Sequence, residues 1–144
     1  MVRKIWAALA LLGVVIGAPA FAQSAGAPIQ LELNRLEQTG ETCRFYLVVQ
    51  NGGGEAIEAF KVDLVFFDND EVVRSRLYVE LGPLTAAKRA VRLFDLPSAQ
   101  CSELSSVLLN NVVACAAPGG EKLDCAGRLQ LSRNEKGAGG VTFN

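Results

Sequence analysis

The 144-residue chain predicts an all-β protein, folded as an antiparallel sandwich of about seven strands. From residue 28 onward, apolar and polar residues alternate with a period of two, as in strands that bury one face. Clusters of Gly, Pro, Asn and Asp separate these runs and indicate turns. No segment keeps a helical period, which disfavours a βαβ fold. Seven short strands with turns between them are typical of an immunoglobulin-like sandwich.

The first three predicted strands show the clearest alternation. They are residues 29–34 (IQLELN), with a weaker continuation to 37, then residues 43–50 (CRFYLVVQ) and 60–67 (FKVDLVFF). Residues 51–54 (NGGG) are a turn signal after the second strand. In each run one set of side chains is apolar, and we expect that set to face the opposite sheet.

The fourth and fifth predicted strands are residues 73–81 (VRSRLYVEL) and 88–95 (KRAVRLFD). The acidic run 68–71 (DNDE) turns the chain into the fourth strand, and the Gly-Pro pair at 82–83 ends it. A Pro-Ser pair at 97–98 ends the fifth strand. We expect Val91 and Leu93, the apolar set of the fifth strand, to face the core.

The last part of the chain predicts two more strands. Residues 101–105 fit a single helical turn, and residues 107–115 form a nearly continuous apolar strand. A Pro-Gly-Gly turn at 118–120 leads into the seventh strand at 125–131. We expect the Gly-rich and charged residues 133–144 to be a flexible tail, although its last four residues are apolar enough to join a sheet edge.

The N-terminus has the pattern of a cleavable signal peptide. Arg3 and Lys4 precede an uncharged apolar stretch at 5–16, and the small-x-small pattern at 20–22 (AFA) predicts cleavage before Gln23. A retained membrane anchor is the competing interpretation, but the stretch is short for a span and contains Gly and Pro. We therefore expect a signal peptide at 1–22, a sandwich domain at 23–132 and the tail at 133–144, with the mature protein in the periplasm and no membrane span.

Composition excludes several kinds of chemistry from the mature chain. It would have 12 basic and 15 acidic residues, and a net charge of −3 gives no general reason to bind nucleic acid. The chain has no His, and its single Met and Trp lie in the signal peptide. His-dependent triads and imidazole metal sites are therefore excluded. We expect a protein that is not an enzyme and carries no cofactor.

Four cysteines in an exported chain predict two disulfides, which could pair in three ways. If the strands run alternately up and down, Cys43 and Cys101 lie at one end of the sandwich, and Cys115 and Cys125 at the other. This parity predicts the pairs Cys43–Cys101 and Cys115–Cys125. Redox or zinc chemistry is the alternative, but the chain lacks the closely spaced Cys pairs that such sites use.

Two polar features could bind a ligand. Asp68, Asp70 and Glu71 offer oxygen ligands for calcium, but they do not match an EF-hand loop, and a solvated hairpin turn also explains them. Arg74 and Arg76 share the polar face of the fourth strand, and Arg92 would join them if the fourth and fifth strands pair. Such a stripe could receive an acidic partner or a carboxylate ligand, or could be a solvated face.

An apolar patch could bind a protein partner. Tyr46 and Val48 on the second strand, and Val65 and Phe67 on the third, point away from the main apolar face of their strands. If they are open to solvent, they form the kind of exposed patch that marks a protein interface. If the tail or the twist of the sheets covers them, they are ordinary core.

Six stretches cover most of the mature chain and resemble a group of small alphaproteobacterial exported proteins that are often labelled by their signal sequence. They are 31–38 (LELNRLEQ), 43–51 (CRFYLVVQN), 61–70 (KVDLVFFDND), 77–84 (LYVELGPL), 91–97 (VRLFDLP) and 107–115 (VLLNNVVAC). The resemblance implies an immunoglobulin-like periplasmic domain with an accessory role, and it carries over no catalytic residues.

These observations favour a non-enzymatic periplasmic module that binds a protein partner of the cell envelope. The partner would use a strand edge or the outward apolar patch, since strand addition is a natural route for such a domain. The alternative is a small-ligand or calcium-binding periplasmic protein. A carboxylate-only hydrolase is a third hypothesis, and the absence of an activated nucleophile argues against it.

Overall fold

The structure, a computed structural model, describes residues 26–144. The predicted signal peptide at 1–22 lies outside the described residues. Eight strands form two four-stranded sheets that pack face to face, which confirms the predicted all-β sandwich and adds one strand to the expected seven. The strands are β1 (Ile29–Thr39), β2 (Thr42–Asn51), β3 (Ala59–Asp68), β4 (Val73–Glu80), β5 (Arg89–Leu96), β6 (Leu104–Ala116), β7 (Leu129–Arg133) and β8 (Thr142–Phe143).

The strand order is β5-β2-β1-β7 in the first sheet and β4-β3-β6-β8 in the second. The strand pairs β1–β2, β2–β5, β3–β4 and β3–β6 are antiparallel, as expected. However, β7 runs parallel to β1, and β8 runs parallel to β6. The prediction of a wholly antiparallel sandwich is therefore wrong at the last two strands. After β6 the chain crosses to the first sheet and then returns to the second, so each terminal strand adds to an edge without a hairpin partner.

The core forms where the inward rows of the two sheets meet. In β2 the side chains of Phe45, Leu47 and Val49 are almost fully buried, and the alternate residues are not. The Phe45 ring lies 5.2 Å from that of Phe66 in the second sheet and 5.7 Å from that of Phe94 in β5, measured between centroids. Such tilted aromatic pairs contribute beyond their buried area.

The β5 strand has the opposite phase to the one its sequence predicts. Phe94 and Ala90 face the core, while Val91 and Leu93 are about half-exposed on the outer face. The register explains this, because Phe94 pairs with the inward Phe45. Alternation gives the period of a strand but not its phase when both rows contain apolar residues.

Residues 133–144 differ from the expected flexible tail. Ala138, Val141 and Phe143 are buried against the core, and β8 pairs with β6. The Leu36 amide donates to the Gly137 carbonyl, and a Cβ at Gly137 would lie only 2.0 Å from the Asn34 carbonyl oxygen. Close backbone approach therefore requires glycine at this position.

Two disulfides close opposite ends of the sandwich. Cys43 at the start of β2 is joined to Cys101, in the single 3-10 turn that precedes β6. Cys115 near the end of β6 is joined to Cys125. The pairs are those that strand parity predicts, and the second one fixes the 117–124 connection against the end of β6.

Candidate interaction surfaces

The seven predicted partner residues do not form one surface. Tyr46 and Val48 lie on the outer face of the first sheet, whereas Val65 and Phe67 lie on the outer face of the second. The prediction of a single apolar patch shared by β2 and β3 is therefore wrong. These strands follow each other in the chain but belong to different sheets, so their outward rows face opposite sides of the molecule.

The predicted arginine stripe is also absent, because β4 and β5 are edge strands of different sheets and do not pair. Arg76 points outward on the second sheet. Arg92 lies on the inward row of β5, where its Nε donates to the Leu81 carbonyl oxygen at 3.0 Å and one terminal nitrogen donates to that of Pro83 at 2.9 Å. Arg92 thus links the edge strand β5 of the first sheet to the segment that follows β4, the edge strand of the second sheet.

The outer face of the second sheet holds a compact apolar patch. The register places Val65 beside Leu108, and Phe67 opposite Val73. Val65 is nearly buried, Phe67 and Leu108 are partly exposed, and Val73 is 57% exposed. We call Val65, Phe67, Val73 and Leu108 the outer patch. Each residue comes from one of three adjacent strands, so the patch is contiguous.

A shallow cavity of about 330 Å³ opens beside the outer patch. Phe67 and Leu108 form its apolar wall, and Glu71, Ser106 and Asn144 form its polar rim. An apolar centre with a polar rim is the usual anatomy of a protein interface. The cavity is large enough to receive one or two apolar side chains but too open to bury a small molecule, as ligand sites do.

Next to the outer patch, Asp63 is a buried acid within an apolar strand. Its carboxylate accepts two hydrogen bonds from Arg76, at 2.8 and 2.6 Å, and one from the Asn110 amide at 2.6 Å. The Arg76 guanidinium also lies over the Tyr78 ring, 5.2 Å from its centroid. The hydrogen bonds from Arg76, and then from Asn110, hold the pKa of Asp63 below its ordinary value.

The outer face of the first sheet carries a second apolar group. Tyr46 pairs with Leu93, and Val48 pairs with Val91, across β2 and β5. The Tyr46 hydroxyl donates to Glu37 at 2.5 Å, and this hydrogen bond raises the pKa of Tyr46 above its ordinary value. We call Tyr46, Val48, Val91 and Leu93 the β5 row.

Charged residues close both ends of the β5 row. Arg44 donates two hydrogen bonds to Asp95, at 2.7 and 3.0 Å. The pKa of Asp95 lies below its ordinary value because of the hydrogen bond from Arg44, and the pKa of Arg44 is raised by the same contact. At the other end, Arg89 donates to the Gln50 side chain at 3.3 Å.

The acidic run at 68–71 forms a hydrogen-bonded turn. The Asp68 carboxylate accepts hydrogen bonds from the backbone amides of Asp70 and Val72, and Glu71 adopts a positive φ of 61°. Arg74, paired with Glu103 at 3.1 Å, lies beside the run. Among residues 26–144 no group of three or more His, Cys, Asp or Glu side chains could hold a metal ion.

A further cavity, of about 500 Å³, lies beside the Cys115–Cys125 disulfide. It is open, and its walls are residues 112–115 of β6 and the 122–126 segment. Lys122 and Asp124 are its titratable residues besides the bonded cysteines, so no pair of carboxylates faces across it. The geometry required for two-carboxylate hydrolysis is therefore not met there.

Sequence reasoning missed four residues of the two apolar groups. Val73 and Leu108 belong to strands whose main apolar rows face the core. Val91 and Leu93 form the row of β5 that the sequence predicts to be inward, but the register turns this row outward. Asp63 offered a usable signal, since an acid in the apolar run FKVDLVFF needs a partner on a neighbouring strand.

Comparisons of the chain with protein-family models, with curated proteins and with solved structures find no match. Within the described residues, no helix is both long enough and apolar enough to span a membrane. The assignment of function therefore depends on the geometry of the two sheet faces.

Proposed function

We propose that this protein is a non-enzymatic interaction domain that binds a protein partner of the bacterial cell envelope through the outer patch. The observation that carries the proposal is the cavity with Phe67 and Leu108 in its wall, together with the exposed Val73, which lies opposite Phe67 on the edge strand β4. An apolar side chain of the partner inserts there, and the exposed valine extends the contact. Arg76 and Tyr78 border the patch on the same face.

The electrostatics of this face support a protein partner rather than a charged small ligand. Arg76 donates two hydrogen bonds to Asp63, and Arg74 is paired with Glu103, so a neighbouring carboxylate compensates the charge of each guanidinium. The patch itself is uncharged. A partner would therefore bind the patch by burying apolar surface, and the ion pairs of Arg76 and Arg74 would lie at the edge of the contact.

We further propose that the mature domain is periplasmic and immunoglobulin-like. Two disulfides in a small domain are compatible with an oxidising compartment, and the N-terminal sequence supports export. Strands β1, β2 and β5 share one sheet and β3 and β6 the other, as strands A, B, E and C, F do in immunoglobulin domains. The sequence resemblance supports an accessory role in the same compartment.

Site-specific photo-crosslinking in the native cell tests the proposed function. A photoreactive amino acid replaces Val73 in one variant and Val113 in a matched control, since Val113 is a similarly exposed valine on β6 outside the outer patch. We expect one discrete adduct from position 73 and none from position 113. Mass spectrometry of the adduct identifies the partner.

A second variant makes the result specific to the cavity. Leu108→Asp places a charge in the apolar wall, and the adduct from position 73 should then disappear while the circular dichroism spectrum of the purified domain stays unchanged. Equal adducts from positions 73 and 113, or an adduct that survives Leu108→Asp in a folded domain, would refute the proposed site.

A further inference from the structure

The outer face of β5 has a self-complementary pattern. Its outward residues are Arg89, Val91, Leu93 and Asp95, and they read positive, apolar, apolar, negative along the strand. Val91 and Leu93 are 50% and 49% exposed. When two copies of β5 are placed side by side in antiparallel orientation, each charged residue lies opposite a residue of opposite charge. Each apolar residue then lies opposite an apolar residue.

The free edge of β5 is available for pairing. β5 is the edge strand of the first sheet, and among residues 26–144 no strand pairs with its outer side. An edge strand of eight residues presents a row of backbone N–H and C=O groups that no neighbouring strand pairs, and such a row is a template for another strand. Along β5 the Val91 carbonyl oxygen accepts a hydrogen bond from the Arg92 guanidinium of the same chain at 3.4 Å.

We propose that a second copy of this chain binds at β5, and that the two β5 strands pair antiparallel about a two-fold axis at Arg92. Arg89 of each copy then lies opposite Asp95 of the other, and Val91 lies opposite Leu93. Directly opposed pairs of this kind stabilise an antiparallel ladder, and a two-fold axis satisfies both halves of the interface with the same residues. The proposal is independent of the outer patch, which lies on the other sheet.

Only this register is complementary. If one strand is moved by two residues in one direction, Val91 lies opposite Asp95. If it is moved by two residues in the other direction, Leu93 lies opposite Arg89. Either shift sets an apolar side chain against a charge and loses both ion pairs. Register in a sheet is strongly specified when side-chain rows differ in this way.

Neighbouring residues fit the same arrangement. Asp95 already accepts two hydrogen bonds from Arg44, so Arg89 of the second copy adds a second cation to the same carboxylate. Arg92, the residue at the axis, points inward, and its guanidinium is held by the Leu81 and Pro83 carbonyl oxygens of its own chain. Tyr46 and Val48 continue the apolar strip on β2.

Charge reversal on β5 tests the dimer by sedimentation of the purified full-length mature chain. Arg89→Asp gives each copy two acids in the row, and Asp95→Arg gives each copy two bases, so each variant alone should be monomeric at concentrations where the wild type is dimeric. An equimolar mixture of the two variants restores both complementary pairs. We expect the dimer to reappear in the mixture.

The controls separate this dimer from other associations. Val91→Lys should abolish the dimer, whereas Val113→Lys, at an equally exposed valine on β6, should leave it intact. Circular dichroism establishes that each variant is folded. A wild type that stays monomeric up to millimolar concentration, or variants that dimerise alone as well as they do when mixed, would overturn the proposal without affecting the outer patch.

Discussion

The Asp63 carboxylate and the Arg76 guanidinium form a bidentate ion pair in which one partner is buried and the other faces solvent. The Asp63 side chain is 1% exposed and that of Arg76 is 53% exposed. The pair joins β3 to the edge strand β4 beside the outer patch. A buried ion pair adds little to the free energy of unfolding by itself. Removal of the arginine, however, leaves a buried negative charge with no positive partner, and this destabilises the folded state.

Arg76→Gln should therefore lower the melting temperature more than Arg44→Gln does. Arg44 pairs with Asp95, whose side chain is 48% exposed, so water replaces the lost contact there. After Arg76→Gln, only Asn110 still donates a side-chain hydrogen bond to the buried acid. Thermal unfolding at neutral pH measures both changes, and equal losses would show that the burial of Asp63 has no energetic consequence.

Acid should destabilise the protein through Asp63 and Asp95. The pKa of each is lower in the folded chain, so each contributes stability that is complete above the unfolded-state pKa of ~4. That contribution is lost as the pH falls through the folded-state pKa, because the unfolded chain binds protons first. Urea unfolding of the wild type and of Asp63→Asn between neutral pH and pH ~3 tests this; the variant should show the shallower decline, and parallel curves would contradict it.

The two disulfides should contribute unequally to stability. Cys43 and Cys101 are 58 residues apart and Cys115 and Cys125 are 10 apart. Loop-closure entropy gives about 4 kcal/mol for the longer loop and about 3 kcal/mol for the shorter one, as upper guides. We expect the double serine variant at positions 43 and 101 to unfold at lower urea than the one at 115 and 125. The reverse order would mean that the 117–124 connection stabilises the native sandwich more than its length implies.

Truncation of the central aromatic cluster should be severe. Phe45→Ala removes a ring that is 1% exposed and contacts Phe66 and Phe94, and the expected loss is about 3–5 kcal/mol. Leu93→Ala, on the adjacent strand but half-exposed on the outer face, is the control. Its effect on the stability of the isolated domain should stay near zero. A similar loss in both variants, measured by urea unfolding at low protein concentration, would contradict the assignment of Leu93 to the surface.

Much of the fold could be predicted from the alternation of polar and apolar residues. In a strand with one polar and one apolar row, this alternation determines which face is buried. In β1 the polar and apolar rows differ clearly, and Ile29, Leu31 and Leu33 face inward as predicted. In β5 both rows contain large apolar residues, and the phase depended on pairing with β2, which local sequence does not encode. Parity of strand direction was enough to predict both disulfides.

The candidate site was less predictable because it depends on which strands share a sheet. Tyr46 and Phe67 look alike in the sequence, since each points away from the main apolar row of its strand, yet they lie on opposite faces of the sandwich. Leu108 reaches the outer patch only because β6 pairs with β3, and these strands are separated by β4 and β5 in the chain. Long-range pairing is a property of the whole fold rather than of any short segment.

The parallel pairing of β1 with β7 sets a constraint on biosynthesis. Ile29 lies opposite Leu129, so the first strand to emerge must wait for a stretch of chain made 100 residues later. Until then one side of β1 is an unprotected edge, and incomplete sheets of this kind are prone to aggregate. The first sheet is therefore complete only when residues 129–133 are available, and the folding of this domain should be slow for its size because the pairing is non-local.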